Sequence, residues 1–530
     1  MRVLLTLLLV LGTGNCAPRI TSVHNAASLG RLGTPNYPVA PGSLVRIVGE
    51  GLGPEEAVRA EGFPAPKELG GVTVQVTGSG QTLEAWVVEA SATRVTFLLP
   101  STARVGDFLV RVRYREETSP GASMAVAMRS FGIFTSNGLG SGPADGDFSL
   151  LKAVTPGQTV TVRGTGLGAI DASDGDAPRV GDLRTGLQVF VGMREAKVTN
   201  AGRASCCPGV DEVTFTVPEG TEGCYVPVVT VMEDVLDGRL YGQRKSVSNA
   251  ATIAVASDGG VCSDPLGLSG ADLTKLQSLD AARVGVVLLG HTYSNADLGR
   301  SPVGVDRGWA RFQSVPGLKL LRAAGIFGLP AAGTCLHLAY DNAVDAVVVD
   351  AGGAALDAGA ALRVNGPSGG ISLTRGSDGS YTATAGKEFF VGGTYELAGD
   401  GGADVGGFSA AFSVPAPVVW SNKSRSNPLS RFSRLHLEWQ GGLPGEFVTL
   451  FAMTQNNAAN VYAVCTERAE VGVIEDPVFG PYTLPIDSRD FGGSLPGLIG
   501  MGSFAVRRFE APGLDFGLVG VSFFDAIFSP

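Results

Sequence analysis

The sequence predicts an all-β protein made of tandem antiparallel β-sandwiches, with one short helix near residues 270–279. Three observations predict this fold class: a repeat of domain length, short runs rich in Val, Ile, Thr and Phe, and 76 glycines among 530 residues that separate those runs. Glycine in such places forms turns between strands. The length allows about three to five domains, each with its own core.

The N-terminus has the layout of a secretory signal peptide. Arg2 precedes an apolar run over residues 3–11, and small and polar residues follow as far as residue 17. No stretch offers the roughly 20 uncharged apolar residues that a transmembrane helix needs. We therefore expect a secreted or cell-surface protein. Lipoprotein anchoring through Cys16 is the weaker alternative, because Thr13 and Asn15 depart from the usual residues before a lipidated cysteine.

A long internal repeat sets the domain organisation. The segment PGSLVRIVGEGLG from Pro41 recurs as PGQTVTVRGTGLG from Pro156, an offset of 115 residues, and the offset reaches 118 at Val95 and Val213. A repeat of this length indicates duplication of a whole domain. The predicted strands are 44–48, 72–76, 85–89, 94–98 and 108–114 in the first copy, and 159–163, 187–191, 212–217 and 226–232 in the second.

These motifs carry a resemblance. The PG-to-GLG segment, the VTF strand edge and the closing SNAATIAVA from Ser248 resemble the IPT/TIG family of immunoglobulin-like β-sandwiches. HNAASLG from His24, GIFT from Gly132, GCYVPV from Gly223 and VCSDPLGLS from Val261 resemble uncharacterised exported bacterial proteins that carry such domains in tandem. The resemblance implies an immunoglobulin-like fold and a secreted or cell-surface setting, and it implies no catalytic residues.

The second half of the chain begins with the predicted helix. Ser269 and Asp272 have the spacing of a capping box, and Leu273, Leu276 and Leu279 fall on one helical face. Strand patterns resume after it. The predicted domains are a signal peptide over 1–17, sandwiches over 18–137 and 138–257, a helix-containing connector with strands over 258–333, and sandwiches over 334–415 and 416–530, or one domain spanning the last two.

Six cysteines follow the predicted signal peptide, and in an exported chain an even number favours disulfides. They are Cys206, Cys207, Cys224, Cys262, Cys335 and Cys465. Adjacent cysteines rarely meet disulfide geometry, so we expect Cys206 and Cys207 each to pair outward, with Cys224 and Cys262 in an open order. Cys335 is then available to Cys465. With no Cys-x-x-Cys pair and four histidines, the sequence does not predict a zinc site.

The sequence predicts no cofactor, and the best candidate for one is calcium at acidic glycine-rich loops. The candidate ligands are Asp171, Asp174, Asp176, Asp400 and Asp404. Carboxylate oxygens suit calcium, but none of these loops fits the EF-hand pattern. The competing interpretation is an ordinary turn in which Asp bonds its own backbone.

Candidate catalytic and metal-binding side chains are few. Ser368 lies in a G-x-S-x-G segment, but it falls between two predicted strands with no helix after it, so we expect a hairpin turn. His436 and Glu438 share one strand face and lack a visible third ligand, and His337 alternates in the same way within its own strand. The sequence therefore predicts no catalytic residues.

The composition of the chain limits the classes of partner that it is expected to bind. A net charge of −10 disfavours nucleic acid, and the alternating Arg111, Arg113 and Arg115 indicate a solvated strand face. The sequence favours an exported non-catalytic binding or scaffold protein of adhesion type, whose partner is a surface protein or a polysaccharide. The alternatives are a carbohydrate-binding accessory module and a secreted hydrolase with its site in residues 266–530. The first alternative rests on Trp86, Trp309, Trp420 and Trp439, although Trp439 is expected to face inward with two leucines.

Overall fold

The structure is a computed structural model of the 530-residue chain. It describes residues 17–30, 34, 36–176, 183, 186–233, 245–294, 303–323, 325–340, 353–386, 388–423, 434–455, 460–476 and 497–529. Residues 1–16 of the predicted signal peptide lie outside the described residues. Neither α-helix in the described ranges is long and apolar enough to cross a lipid bilayer.

The first sandwich consists of two antiparallel sheets that enclose one core. Its strands are β1 Arg19–Asn25, β2 Leu44–Glu50, β3 Val58–Arg59, β4 Glu68–Leu69, β5 Val72–Gly78, β6 Gln81–Glu84, β7 Trp86–Ala90, β8 Arg94–Leu98, β9 Gly106–Tyr114, β10 Glu117–Thr118 and β11 Ala122–Val126. One sheet has the order β1-β2-β8-β7-β3, and the other β10-β9-β5-β4 with β6 on β5 and β11 on β9. Alternate residues such as Ile47, Phe97 and Val110 are fully buried between them.

The second sandwich repeats this plan. Its strands are β12 Gly132–Ile133, β13 Gly142–Pro143, β14 Thr159–Thr165, β15 Leu187–Val191, β16 Arg194–Arg203, β17 Asp211–Thr216, β18 Gly223–Glu233, β19 Lys245–Val247 and β20 Ala251–Val255. The order β12-β14-β17-β16 reproduces β1-β2-β8-β7, and β16 continues into a second layer through β15, β18 and β20. Strands β2 and β14 are both seven residues long and start 115 residues apart. The predicted duplication and the all-β immunoglobulin-like sandwich class are confirmed.

Among the described residues, two α-helices follow the second sandwich. Helix α1, Gly270–Gln277, begins at the predicted capping box, where Ser269 Oγ accepts a hydrogen bond from Asp272 N and the Asp272 carboxylate accepts one from Ser269 N. Its buried Leu273 and Leu276 confirm the predicted apolar face. Helix α2, Gly317–Leu321, was not predicted, because five residues are too few to show a helical period.

The remaining strands form one long sheet and one small sheet. They are β21 Ala281–Ser294, β22 Val303–Pro316, β23 Thr334–Tyr340, β24 Ala354–Ala355, β25 Ala361–Gly366, β26 Gly369–Arg375, β27 Ser380–Ala385, β28 Gly393–Gly399, β29 Phe408–Val414, β30 Val419–Trp420, β31 Leu435–Gln440, β32 Phe447–Gln455, β33 Asn460–Arg468, β34 Val473–Asp476, β35 Gly497–Arg508 and β36 Phe516–Ser529. A 3₁₀ turn covers Ala469–Val471.

The long sheet has thirteen strands and joins segments that are far apart in sequence. Its order is β23-β33-β32-β35-β36-β21-β22-β27-β26-β25-β28-β29, with β24 on β22, and the small sheet is β30-β31-β34. The neighbours β21 and β36 are parallel. This pairing favours one unit over residues 334–530, with β21 and β22 in its middle. The domain boundaries themselves stay a proposal.

Candidate functional site

A loop of the second sandwich, residues 166–176, lies against the first sandwich. Its Asp174 is buried, and its carboxylate accepts two hydrogen bonds from Ser101, one from the backbone nitrogen and one from the hydroxyl, both at 2.6 Å. The backbone nitrogen of Ala65 donates to the carbonyl of Gly175 at 3.1 Å. The loop is therefore fixed to the first sandwich by charge-assisted and backbone hydrogen bonds.

Trp86 of the first sandwich covers the same loop. A Cβ on Gly175 would lie 2.2 Å from Trp86 Nε1, so only glycine fits beneath the indole. The ammonium of Lys67, also in the first sandwich, lies 3.5 Å from the centre of the Trp86 ring and makes a cation–π contact with it. Trp86 is half-buried by these neighbours.

A second contact links β2 to β14. The Thr165 hydroxyl accepts a hydrogen bond from Leu44 N at 2.8 Å and donates one to Gly209 O at 2.6 Å. Gly209 packs on Leu44 and Leu98, since a Cβ there would lie 2.7 Å from a Leu98 methyl carbon. We call these two groups of contacts the sandwich boundary. Its residues are 44, 65, 86, 98 and 101 in the first sandwich and 165, 174, 175 and 209 in the second.

A buried ion pair supports the boundary from within the second sandwich. Arg203 and Asp211 pair through Nη1 and Oδ1, with side chains 3% and 0% exposed. The second oxygen of Asp211 accepts hydrogen bonds from Gly166 N at 2.7 Å and Leu167 N at 2.8 Å, and Arg203 donates to Gly168 O at 2.9 Å. Burial raises the pKa of Asp211, and Arg203 and the two amides oppose that rise. The pair holds the repeated G-x-GLG turn in its second copy.

Gly166 shows why this turn needs glycine. Its φ is +112°, and a Cβ would lie 2.1 Å from the carbonyl oxygen of Ser130. A side chain would meet both backbone strain and a backbone clash. The close approach lets the turn reach Asp211.

Two buried asparagines hold the joining segments, and the sequence analysis did not single them out. Asn25 donates to the carbonyls of Ser130 and Thr165, at 2.8 and 3.2 Å. Asn249 donates to the carbonyl of Ile133 and accepts from its nitrogen, both at 2.8 Å. Both stand in an Asn-Ala-Ala tripeptide, at the start of the first sandwich and near the end of the second. That shared tripeptide was the available signal.

The aspartates considered for calcium divide into two groups. In the loop 166–176, Asp174 is held by Ser101, whereas Asp171 and Asp176 are exposed. Asp400 forms a two-pronged ion pair with Arg363 at 2.6 and 2.7 Å, which lowers the pKa of its carboxyl. Asp404 accepts a hydrogen bond from Asp357 N at 2.8 Å.

These contacts are those of ordinary turns and ion pairs. In the part of the chain that the structure describes, the one group of at least three metal-type side chains with ligand atoms within 4.8 Å of each other is Cys335, Cys465 and Asp476. Because those two sulfurs are bonded to each other, the group is not a metal site. A calcium site at the five aspartates stays a prediction.

The cysteines form three disulfides, and one part of the expectation was wrong. Cys224 bonds to Cys262, and Cys335 bonds to Cys465 across the paired strands β23 and β33. Cys206 and Cys207, which were expected to pair outward, bond to each other. The reason is tertiary: β18 carries Cys224 to the segment before α1, so it meets Cys262, and the two neighbours in the β16–β17 loop remain for one another.

Histidines and the motif serine occupy structural positions. Ser368 lies in the tight turn between β25 and β26, as predicted. His337 Nε2 lies 2.7 Å from the buried Asp476, and His291 Nδ1 lies 2.5 Å from the buried Asp306. Neither pair could be inferred from the sequence, since 139 residues separate His337 from Asp476 and 15 separate His291 from Asp306.

His436 lies between two carboxylates. Its Nε2 is 3.0 Å from Glu438 on the same strand and its Nδ1 is 2.8 Å from Glu475 on β34, which pairs with β31. The hydrogen bond to Glu438 raises the pKa of His436, partial burial opposes that, and Glu475 raises it further. A neutral imidazole donates one hydrogen bond, so two ionised partners favour the imidazolium. His436 and its two glutamates form a hydrogen-bonded clamp between β31 and β34.

The tryptophans do not form an exposed platform. Trp420 and Trp439 are 6% and 4% exposed, and their indole nitrogens donate to Asn422 and to the carbonyl of Ala469. Trp309 is partly buried against the core that includes α1. The expected inward position of Trp439 is confirmed. Arg113 is exposed and Arg111 is partly buried on the outer face of β9, which agrees with a solvated strand face.

No protein-family model and no curated protein sequence matches the chain. Among solved structures, it is similar to the titin fragment I67–I69 at 13% identity, over 71% of this chain and 96% of that one, with a TM-score of 0.11. It is similar to the ICAM-5 D1–D4 ectodomain fragment at 12% identity, over 93% and 96%, with a TM-score of 0.16. A gamma-CGTase from Alkalophilic bacillus clarkii matches at 13% identity over 45% of this chain, with a TM-score of 0.14. The chain spans 27% of the length of that enzyme.

Proposed function

We propose that this chain is an exported, non-catalytic binding or scaffold protein of the adhesion or surface-interaction type. The observation that carries the proposal is the sandwich boundary. There, the Ser101–Asp174 and Leu44–Thr165 hydrogen bonds fix two successive immunoglobulin-like sandwiches to each other. Two domains joined in this way present their loops and sheet faces in one relative orientation, which suits binding to an extended surface partner.

The setting of the proposal is extracellular. Three disulfides in one chain are typical of proteins that fold in an oxidising compartment. The predicted signal peptide over residues 1–17 supplies the route of export. Both features support a secreted or cell-surface location, and the IPT/TIG resemblance agrees with it.

Export is tested by expressing the full chain and a variant without residues 2–17 in a bacterial host, followed by cell fractionation and mass analysis of the N-terminus. We expect the full chain outside the cytoplasm and shortened near residue 17, and the variant in the cytoplasm. Retention of the full, unshortened chain in the cytoplasm would overturn the proposal of export.

Binding is tested by depletion of the purified chain from solution. The probes are immobilised cell-surface protein preparations, cellulose, chitin and peptidoglycan, each with calcium and with a chelator. We expect depletion onto a surface protein preparation. Depletion onto one polysaccharide alone would instead support the carbohydrate-binding alternative, against which the buried Trp420 and Trp439 count. Turnover of a soluble glycoside or ester would support the hydrolase alternative.

The Asp174→Ala variant connects this assay to the structure, with Asp171→Ala as its matched control in the same loop. If binding uses both sandwiches together, D174A lowers the depleted fraction and D171A leaves it unchanged. Equal binding by all three proteins would show that the partner is held by a single domain.

A further inference from the structure

We propose that the Cys206–Cys207 disulfide is a site of reversible thiol–disulfide exchange with a dithiol, and that its redox state sets how firmly the second sandwich is docked on the first. This inference is independent of what the protein binds. It rests on the accessibility of the pair, on its sequence separation and on the contacts of the loop that carries it.

The pair is the accessible one among the three disulfides. Cys206 is exposed and Cys207 is partly exposed, whereas Cys224 and Cys262 are 4% and 2% exposed and Cys335 and Cys465 are 1% and 0% exposed. Exchange begins when a thiolate attacks a disulfide sulfur, so its rate depends on access to that sulfur. A reagent in solution therefore reaches Cys206 first.

The Cys206–Cys207 disulfide does not link distant parts of the chain. The other two disulfides close segments with sequence separations of 38 and 130, but Cys206 and Cys207 are neighbours. A disulfide stabilises a fold mainly by restricting the unfolded chain, and the effect grows with the length of the closed loop. Bridging adjacent residues restricts almost nothing beyond the loop itself, so the bond can open without releasing the sandwich.

The loop that carries the pair is part of the sandwich boundary. Residues 204–210 connect β16 to β17, and Ala204 N donates to Val210 O at 2.9 Å, while Val210 N donates to Cys207 O at 3.3 Å. Two residues after the pair, Gly209 packs on Leu98 and accepts the hydrogen bond of Thr165. A change in the backbone at the pair is thus transmitted to a boundary contact.

Contacts at the base of the loop 204–210 limit how far a change in its backbone extends. The Arg203–Asp211 ion pair closes its base, and these two residues are also register partners on β16 and β17. The strands below the loop keep their pairing when the loop above them is altered. The expected consequence is a weaker boundary between two folded sandwiches.

The exchange balances as follows. One thiolate of the dithiol attacks the sulfur of Cys206, forms a mixed disulfide and displaces the thiolate of Cys207, which takes up a proton. The second thiol of the reagent loses its proton and attacks the reagent's first sulfur, which is bonded to Cys206 in the mixed disulfide. This attack releases the Cys206 thiolate, which is then protonated. The protein gains two electrons and two protons as two thiols, and the dithiol is oxidised to a cyclic disulfide.

The test uses the full mature chain, purified without reductant and titrated with dithiothreitol. Free thiols are blocked with N-ethylmaleimide and located by peptide mass mapping. After the same short exposure to each dithiothreitol concentration, we expect the peptide with Cys206 and Cys207 to be labelled at a concentration at least about tenfold below that needed for the other four cysteines. Access sets the rate of exchange, and this pair is the accessible one. Simultaneous labelling of all six, or full labelling of Cys206 and Cys207 before reductant is added, would overturn the proposal.

Hydrogen–deuterium exchange at that dithiothreitol concentration tests the effect on docking. We expect faster exchange at the Leu44 amide, which donates to Thr165, and unchanged exchange in the core strands of both sandwiches. The double variant C206S/C207S should match the reduced protein and no longer respond to dithiothreitol. Unchanged exchange at Leu44 in the reduced wild-type protein would overturn the coupling, and this measurement does not depend on whether the variant folds.

Discussion

At the scale of single residues, two ion pairs whose acidic members are neighbours on β17 differ in burial. The side chains of Arg203 and Asp211 are 3% and 0% exposed, whereas those of Arg163 and Glu212 are 49% and 33% exposed. Removing one member of a buried pair leaves an uncompensated charge in a medium of low polarity. An exposed pair gains little, because water and salt screen it.

Asp211→Ala should therefore destabilise the second sandwich strongly. We expect a loss of about 3–5 kcal/mol in its free energy of unfolding, measured by urea denaturation. Glu212→Ala, its neighbour in sequence, is the control and should cost at most about 1 kcal/mol. Equal losses in the two variants would contradict the role assigned to the buried pair.

His436 makes the stability of the small sheet depend on pH. Its pKa is raised above the ordinary 6.5 by the hydrogen bond to Glu438, partly offset by burial, and then by Glu475. A raised pKa in the folded state means that the imidazolium stabilises the fold fully below the unfolded pKa. That contribution is lost as the pH rises through the folded pKa.

His436→Gln should be less stable than the wild type below pH 6.5, and the difference should shrink as the pH rises through the folded pKa of His436. Urea denaturation at several pH values measures this. NMR titration of the wild type checks the cause: Glu438→Gln should lower the pKa of His436, and Glu470→Gln, at an exposed glutamate in the nearby 3₁₀ turn, should not. A pH-independent difference would refute the clamp.

At the scale of elements, the loop 166–176 of the second sandwich is held against the first sandwich by hydrogen bonds. The Asp174 carboxylate accepts two hydrogen bonds from Ser101, and Gly175 lies beneath Trp86. A charged acceptor strengthens a backbone hydrogen bond relative to a neutral one. The loop therefore behaves as a connector between sandwiches.

Asp174→Ala should loosen the boundary and leave both sandwiches folded. Loss of a hydrogen bond to a charged group corresponds to about 10- to 100-fold faster exchange of the Ser101 amide in hydrogen–deuterium exchange. Asp171→Ala, at an exposed residue of the same loop, should leave that amide protected. We expect calcium to change neither result. Protection that appears only with calcium would support the predicted calcium site.

At the scale of the whole molecule, the order of strands in the long sheet differs from their order in the sequence. Strand β23 pairs with β33 at one end, whereas β25 to β29 lie at the other end, beyond β21 and β22. The disulfide Cys335–Cys465 crosses the first of these pairings. The segment 334–415 thus contributes strands to both ends of one sheet.

A fragment over 334–415 should consequently not fold, although its sequence has the pattern of a sandwich. It leaves β23 without β33 and β27 without β22, and unpaired backbone groups and exposed core side chains destabilise it. A fragment over 138–530, which keeps Cys224 with Cys262 and the second-sandwich residues of the core around α1, should fold. Dispersion of amide signals in NMR spectra decides both cases, and a folded 334–415 fragment would show that the predicted boundary is right.

Much of the local structure could be predicted. The capping box at Ser269, the hairpin turn at Ser368 and the inward face of Trp439 each depend on residues within a few positions of each other. The partners of Asp174 and His337 could not be predicted in this way. Ser101 is 73 residues from Asp174, and Asp476 is 139 residues from His337.

The sequence by itself determined the all-β class, the duplication that relates β2 to β14, and the position of α1, because strand alternation, turn glycines and helix caps are encoded by neighbouring residues. Only the tertiary structure decided that Cys206 bonds to Cys207, that Asp174 joins two sandwiches, and that β21 and β36 complete a shared sheet. These outcomes depend on which surfaces bury one another, and that is settled by the packing of the whole chain.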